Sequence, residues 1–103
     1  MPTDGQVAAA VAALSMAAEP SRLRILCAVT DEELDVGTLA SLIGISPTAA
    51  SQHLAKLRLA GLVTARRDGR RVLYSARGGH VRRLITEALF HGDHMVTGDP
   101  AHD

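Results

Sequence analysis

The chain has 103 residues, 47% of them hydrophobic but only 2% aromatic, and equal numbers of basic and acidic residues. That length supports one small domain, short enough to need a partner for stability, with an aliphatic, alanine-rich core. No apolar run is long enough to cross a membrane and no signal peptide with a basic start is visible. The single cysteine, Cys27, excludes an intrachain disulfide and predicts a reducing, cytoplasmic setting.

Residues 1–6 read as a disordered start. Val7 to Ala18 reads as a helix made mostly of alanine, with Val7, Val11, Leu14 and Ala18 on one side. Its small residues permit close helix approach and suggest a packed or dimeric position. Glu19-Pro20-Ser21 restarts the chain into a second helix, with Leu23, Leu26 and Cys27 inward and Arg22 and Arg24 outside. Cys27 reads as a core residue, because a lone thiol on an apolar stripe is seldom a ligand. Thr30 to Asp35 is an acidic loop. Val36 to Ile43 forms a short helix with Leu39, Leu42 and Ile43 inward, and Gly44 ends it.

The next helix has both ends marked: Ser46 fits the N-cap, Pro47 the first helical position and Gly61 the stop. Ala50, Leu54, Leu57 and Gly61 fall within about 40° of one another at 100° per residue, forming one inward stripe. Thr48, Gln52 and Lys56 point the other way, with Ser51 beside them. This short hydrogen-bonding face tipped with one lysine suits a helix laid into the major groove of DNA. On the helix alone, an ordinary amphipathic helix with a polar exterior is the favoured reading.

The residues after Gly61 tip the balance. Asp68-Gly69 is a two-residue hairpin signal between β-prone runs, with Val63, Ala65, Val72 and Tyr74 on one apolar face. Arg66, Arg67, Arg70 and Arg71 cluster at its tip, where like charges repel unless a polyanion lies against them. Helix–turn–helix followed by a basic hairpin is a winged helix, with the wing on phosphates or in the minor groove. Lys56, Arg58, Arg66, Arg67, Arg70, Arg71, Arg77, Arg82 and Arg83 face one acid, Asp68, within 56–83, so the neutral total conceals a polarised chain.

Gly78-Gly79 breaks the chain before a last helix from His80 to His91, with Val81, Leu84, Ile85, Ala88 and Leu89 in a helical stripe. Gly92 to Asp103 reads as polar and mobile. The predicted architecture is mainly α with a small β-hairpin, ordered helix–helix–helix–helix–strand–strand–helix. Its working domain spans 7–94, with a mobile His/Asp tail at 95–103.

Four segments carry a resemblance to the ArsR/SmtB family of bacterial metal-responsive winged-helix repressors. They are Glu19-Pro20-Ser21-Arg22-Leu23-Arg24-Ile25-Leu26, Leu39 to Ser46, Ser51 to Val63, and Arg66-Arg67-Asp68-Gly69-Arg70-Arg71-Val72-Leu73-Tyr74. The resemblance implies a homodimer built from the first and last helices that binds a palindromic operator as a repressor and responds to an inducer. Carried over residue by residue, it implies that Thr48, Ser51, Gln52, His53 and Lys56 are the recognition positions. His53 also reads as a packing residue.

The family's thiolate site lies at the stretch that here reads Glu33-Leu34-Asp35-Val36-Gly37, without cysteine. A soft-metal site needs thiolates, so sensing of arsenite, lead or cadmium is not expected. Four of the five histidines fall instead in the last 24 residues. His80 and His91 share a face, about 20° off alignment, but stand roughly 16 Å apart along an ideal helix and cannot hold one ion within one chain. His91 and His94, three residues apart, converge if the helix persists. Two antiparallel copies would bring His80 of one chain near His91 and His94 of the other, at two symmetric intersubunit sites. The resemblance implies the same arrangement, but Gly78 stands where the family usually has Asp. Asp93, or His102 and Asp103, could complete the set. The last helix looks closest to nickel/cobalt-sensing actinobacterial members. Imidazoles with tail carboxylates suit six-coordinate nickel, with cobalt and zinc as alternatives. The competing readings are histidines that merely favour the helix C-terminus, and a metal-independent or protein-partner-regulated DNA binder with a degenerate site. A zinc hydrolase lacks its general base and is not expected.

Overall fold

The computed structural model describes residues 1–98, which order as α1 (Asp4–Ala17), α2 (Pro20–Asp31), α3 (Val36–Ile43), α4 (Pro47–Leu59), β1 (Val63–Asp68), β2 (Arg71–Ala76) and α5 (Gly78–Thr97). The element order is the expected one. α2 is the hub, packing against α1, α3, α4, α5 and β2. Its Ile25, Leu26 and Val29 are fully buried, and Leu39, Leu54, Leu57, Val63 and Ile85 close around them. The stripe expected on α2 is therefore rotated: Leu23 and Cys27 lie only half-buried at its margins. Arg22 is not outside either. Its Nε donates to the Met16 carbonyl at 2.6 Å, tying α2 to the end of α1.

Local chemistry explains where the helices begin and end. The Thr3 hydroxyl accepts from the Gln6 N–H, and the Gln6 side chain accepts from the Thr3 N–H, a reciprocal capping box. The expected disordered start thus carries a helix cap, and α1 begins three residues before Val7. α5 also outruns its expected end. It passes through Gly92 and stops only at Gly98, whose φ of 65° lies in the left-handed region. The expected mobile tail is therefore helical as far as Thr97. α3 buries Leu39 and Ala40 but leaves Leu42 65% exposed. Leu42 lies about 110° from the centre of the buried stripe at 100° per residue, too far round to reach α2.

The hairpin pairs Val63 with Ala76 through to Asp68 with Arg71. Its two-residue turn is therefore Gly69-Arg70, one residue later than the Asp-Gly pair suggested. Gly69 has a φ of 64° and Arg70 a negative one, the type II′ pattern with glycine first. The hairpin buries residues on both faces: Val63 and Ala76 at its base on the Tyr74 face, and Leu73, opposite Arg66 on the other face and nearer the turn, at 7% exposure. Leu34 pairs with Tyr74 and adds a short third extended segment.

The Cα radius of gyration is 14.8 Å, above the roughly 13 Å of a compact chain this size. Large apolar side chains stay uncovered on α1 and α5: Val7, Val11 and Leu14 on α1 and Leu84, Leu89 and Phe90 on α5 are 37–55% exposed. Among the described residues no helix is long and apolar enough to cross a membrane.

Candidate nucleic-acid interface

α4 is held firmly at both ends. The Ser46 hydroxyl accepts from the Ala49 N–H at 3.0 Å, and Pro47 occupies the first turn, where a missing N–H costs nothing. At the other end Leu62 N–H reaches the Leu57 carbonyl, Gly61 N–H reaches the Arg58 carbonyl, and Gly61 takes a φ of 75°. Those two bonds and the buried Leu57 and Leu62 make a complete Schellman stop. With Ala50, Leu54 and Leu57 fully buried, the opposite side of α4 is fixed outward. It exposes Thr48, Ser51, Gln52 and Lys56 together, with Arg58 beyond them.

His53 does not join that face. Its side chain is 22% exposed, with Nδ1 3.9 Å from Glu19 and 3.5 Å from Arg22. Glu19 caps α2 by accepting from the Arg22 N–H at 2.7 Å, and that backbone contact holds its carboxyl below the usual carboxylate range. His53 therefore braces α4 against the start of α2.

The wing extends beyond α4 with Arg66, Arg67, Arg70 and Arg71 all exposed. Two of them are already engaged. Arg66 forms a fork with Glu33, its Nε and Nη2 donating at 2.7 and 2.8 Å. Arg71 donates to Asp35 at 3.0 Å. The Arg66 guanidinium holds the Glu33 carboxyl low, and Glu33 in turn raises Arg66. In the sequence Glu33 and Asp35 read as part of an acidic loop and of the stretch at the family's thiolate site, not as partners of the wing. Their spacing of two beside a basic hairpin was the available signal.

The residues expected to bind metal are spread along α5. His80, near its start, is exposed, and its Nδ1 lies 3.0 Å from the Arg83 guanidinium. His91 is exposed, and His94 is half-buried beside Phe90, with ring centroids 6.3 Å apart. The helix continues through both, so they stand one turn apart. Asp93 is not beside them: it lines a groove between α2 and α5 with Cys27, Thr30 and Asp31. Burial there raises the Cys27 thiol pKa and disfavours its thiolate. His102 lies outside the described residues. Among the described residues no three ligand-type side chains of one chain come close enough to hold an ion. Gly78, where an acid was expected, has a φ of 74°, a conformation that costs an ordinary side chain roughly 1–2 kcal/mol.

A helix–turn–helix of α3 and α4 with an outward polar face, followed directly by a basic two-stranded wing, defines a winged-helix regulator of transcription. Residues 19–65 match the family described as "Bacterial regulatory protein, arsR family". The chain is 40% identical to the HTH-type transcriptional regulator KmtR of Mycobacterium tuberculosis over 96% of its own length and 76% of that protein's. It is 43% identical to the HTH-type transcriptional regulator NmtR of the same organism, over 94% and 82% of the two lengths. It therefore belongs to the ArsR family, whose members it matches are DNA-binding transcriptional regulators and not enzymes. A solution structure described as the homodimeric winged helix-turn-helix DNA-binding domain Mb0332 of Mycobacterium bovis superposes with a TM-score of 0.85 at 29% identity, covering 96% of this chain and 94% of that one.

Proposed function

We propose that this protein is a homodimeric repressor, joined through α1 and α5, whose grip on a palindromic operator is modulated by a transition metal held between the two copies. The observation that carries the reading is the coincidence of two features on α5. Leu84, Leu89 and Phe90 stay exposed on it although Ile85 is buried, and its imidazoles are arranged so that one chain supplies only part of a coordination set.

Thr48, Ser51, Gln52 and Lys56 are the side chains suited to base edges. Ser and Gln hydrogen-bond in the major groove, and Lys56 adds charge near phosphate. His53 serves by holding α4 in place. Two such helices must meet half-sites about one DNA turn, or roughly 34 Å, apart.

The α5 residues fit a metal as two half-sites. His91 and His94, at i and i+3, supply adjacent imidazoles from one copy, and His80 of a second copy supplies the next. An ion there would serve as a cross-link of imidazole nitrogens between copies, a donor type that suits nickel and zinc alike, with cobalt as a further alternative. Arg83 opposes this. A guanidinium only donates, so His80 Nδ1 must accept from it and Nε2 carries the proton. Ligation by either nitrogen therefore requires Arg83 to withdraw. Asp93 faces away, toward α2. The resemblance to nickel/cobalt-sensing members favours nickel.

Imidazoles of two α5 helices that shared an ion would be held together, which would alter the angle between protomers and with it the spacing of the two α4 helices. Allosteric coupling of this sort typically amounts to about 1–3 kcal/mol. The test is affinity for an operator duplex first selected from a random-sequence library, measured with nickel, cobalt, zinc or a chelator. The proposal expects a shift of about tenfold with one of the metals. Equal affinity in all four conditions would leave the second reading, a metal-independent regulator, which the Arg83–His80 contact favours.

A further inference from the structure

The four wing arginines are not equivalent, and the strand register shows why. Paired residues of an antiparallel ladder share a face, so Arg66, Arg71 and Leu73 stand on one side of the hairpin. Arg67 stands on the other side, with Val72, and Arg70 lies in the turn. Leu34 lies against Tyr74, with backbone bonds of 3.0 and 2.8 Å in the two directions. Side chains alternate along an extended segment, so Glu33 and Asp35 flank Leu34 on the Arg66 side.

On that side the fork from Arg66 to Glu33 and the bond from Arg71 to Asp35 both form. Leu73 between them is 7% exposed although it lies outside the main core cluster. Asp35 also caps α3. Its Oδ1 accepts from the Thr38 N–H at 2.8 Å, while its Oδ2 accepts from Arg71. One carboxylate thus joins the wing to the first helix of the helix–turn–helix. Arg67 and Arg70 have no carboxylate partner among the described residues.

We infer that the wing divides its arginines. Arg67 and Arg70 take DNA phosphates, whereas Arg66 and Arg71 are positioning residues that, with Glu33 and Asp35, hold the wing at a fixed angle to α3 and α4. A single exposed ion pair is weak, but a bidentate fork fixes orientation as well as charge, and the shared cap adds a third anchor. The fork holds Arg66 Nε and Nη2 on Glu33, so a phosphate brought to the remaining Nη1 would also lie beside the Glu33 carboxylate. The inference rests on the DNA-binding reading above.

Its test is the salt dependence of binding between the full chain and a fluorescent duplex of about two helical turns and random sequence. Over about 50–200 mM salt each phosphate contact contributes about one to the slope of log K against log salt, independently of sequence. R67A and R70A are each expected to lower the slope by about one. R66A and R71A are expected to weaken binding by about threefold at unchanged slope. E33Q separates the two ideas by sign. If Glu33 positions the wing, binding weakens; if it merely masks Arg66, binding tightens and the slope rises. The exchange E33R/R66E, which reverses the pair, restores affinity to within about threefold of the parent on the positioning account. A slope loss of one or more in R66A, tighter binding by E33Q, or failure of the exchange in a variant that melts like the parent overturns the inference while leaving DNA binding intact. A parent chain with no salt-dependent binding overturns both.

Discussion

A glutamate at position 14 should separate two copies of this protein without disturbing the fold of either. Leu14 is 50% exposed on α1, close to Val7 and Val11, and Leu84, Leu89 and Phe90 expose 37–55% on α5. Fully burying such a side chain is worth about 1.5–3 kcal/mol, so the half still exposed is worth about 1 kcal/mol at each position. Six positions in each of two copies give about 12 kcal/mol gross, against an association cost of about 4–15 kcal/mol. The margin is narrow, and a twofold interface counts every substitution twice. Leu14→Glu removes about 1 kcal/mol of burial on each side and adds a carboxylate whose desolvation costs several kcal/mol per ion in place. A combined loss of about 4–6 kcal/mol raises the dimer dissociation constant about 10³- to 10⁴-fold. Sedimentation velocity over a concentration series reads that constant directly. Circular dichroism controls for folding, because Leu14 is not part of the core cluster. A variant that dimerises as tightly as the parent would refute the placement of the seam on α1.

Leu54→Ala removes a fully buried side chain from the inner face of α4. It should cost about 2–5 kcal/mol and lower Tm by roughly 10 °C or more in a thermal melt. Acid should loosen the wing anchor. Arg66 holds the Glu33 carboxyl low, and the Thr38 hydroxyl and N–H do the same for Asp35. Both pKa values are lower folded than unfolded, so the unfolded chain takes up protons first as pH falls. The stabilisation is complete above the usual carboxylate pKa of about 4 and is lost below it, as pH falls through the folded values. Tm followed from neutral to acid pH should therefore drop more steeply for the parent than for E33Q/D35N. Arg83→Ala frees His80 and should raise nickel affinity about two- to fivefold in calorimetry, as expected for one exposed charge-assisted bond. His91→Ala should abolish the intersubunit site, and unchanged titrations in both variants would remove α5 as its location.

Much of this fold was legible because its boundaries are written locally. Ser46, Pro47 and Gly61 mark α4 by chemistry that acts within one turn, and the structure uses each as read. The α1 start was equally local, a Thr-x-x-Gln capping box at Thr3 and Gln6, but alanine-rich sequence around it gave no periodicity to draw attention to it. α5 offers two glycines as stops, and nothing local chooses Gly98 over Gly92, which the helix passes through. The hairpin turn shifted by one because ladder register, set by Val63 against Ala76 and Leu34 against Tyr74, overrides the Asp-Gly preference.

The candidate site divides the same way. The outward face of α4 follows from helical spacing and emerged as expected. The inward turn of His53 depends on Glu19 and Arg22 in another helix. The Arg66–Glu33 fork joins residues 33 positions apart, a distance that no periodicity reports. The arginine cluster was therefore visible, but its division into anchored and unanchored members was not.

Selection from a random duplex library tests the central claim most directly, because it asks the purified chain what DNA it prefers and with what symmetry. The account predicts an enriched inverted repeat, its half-sites one helical turn or a whole multiple apart, bound by two chains per duplex. Enrichment of a single unrepeated half-site, one chain per duplex, or no enrichment at all would contradict it.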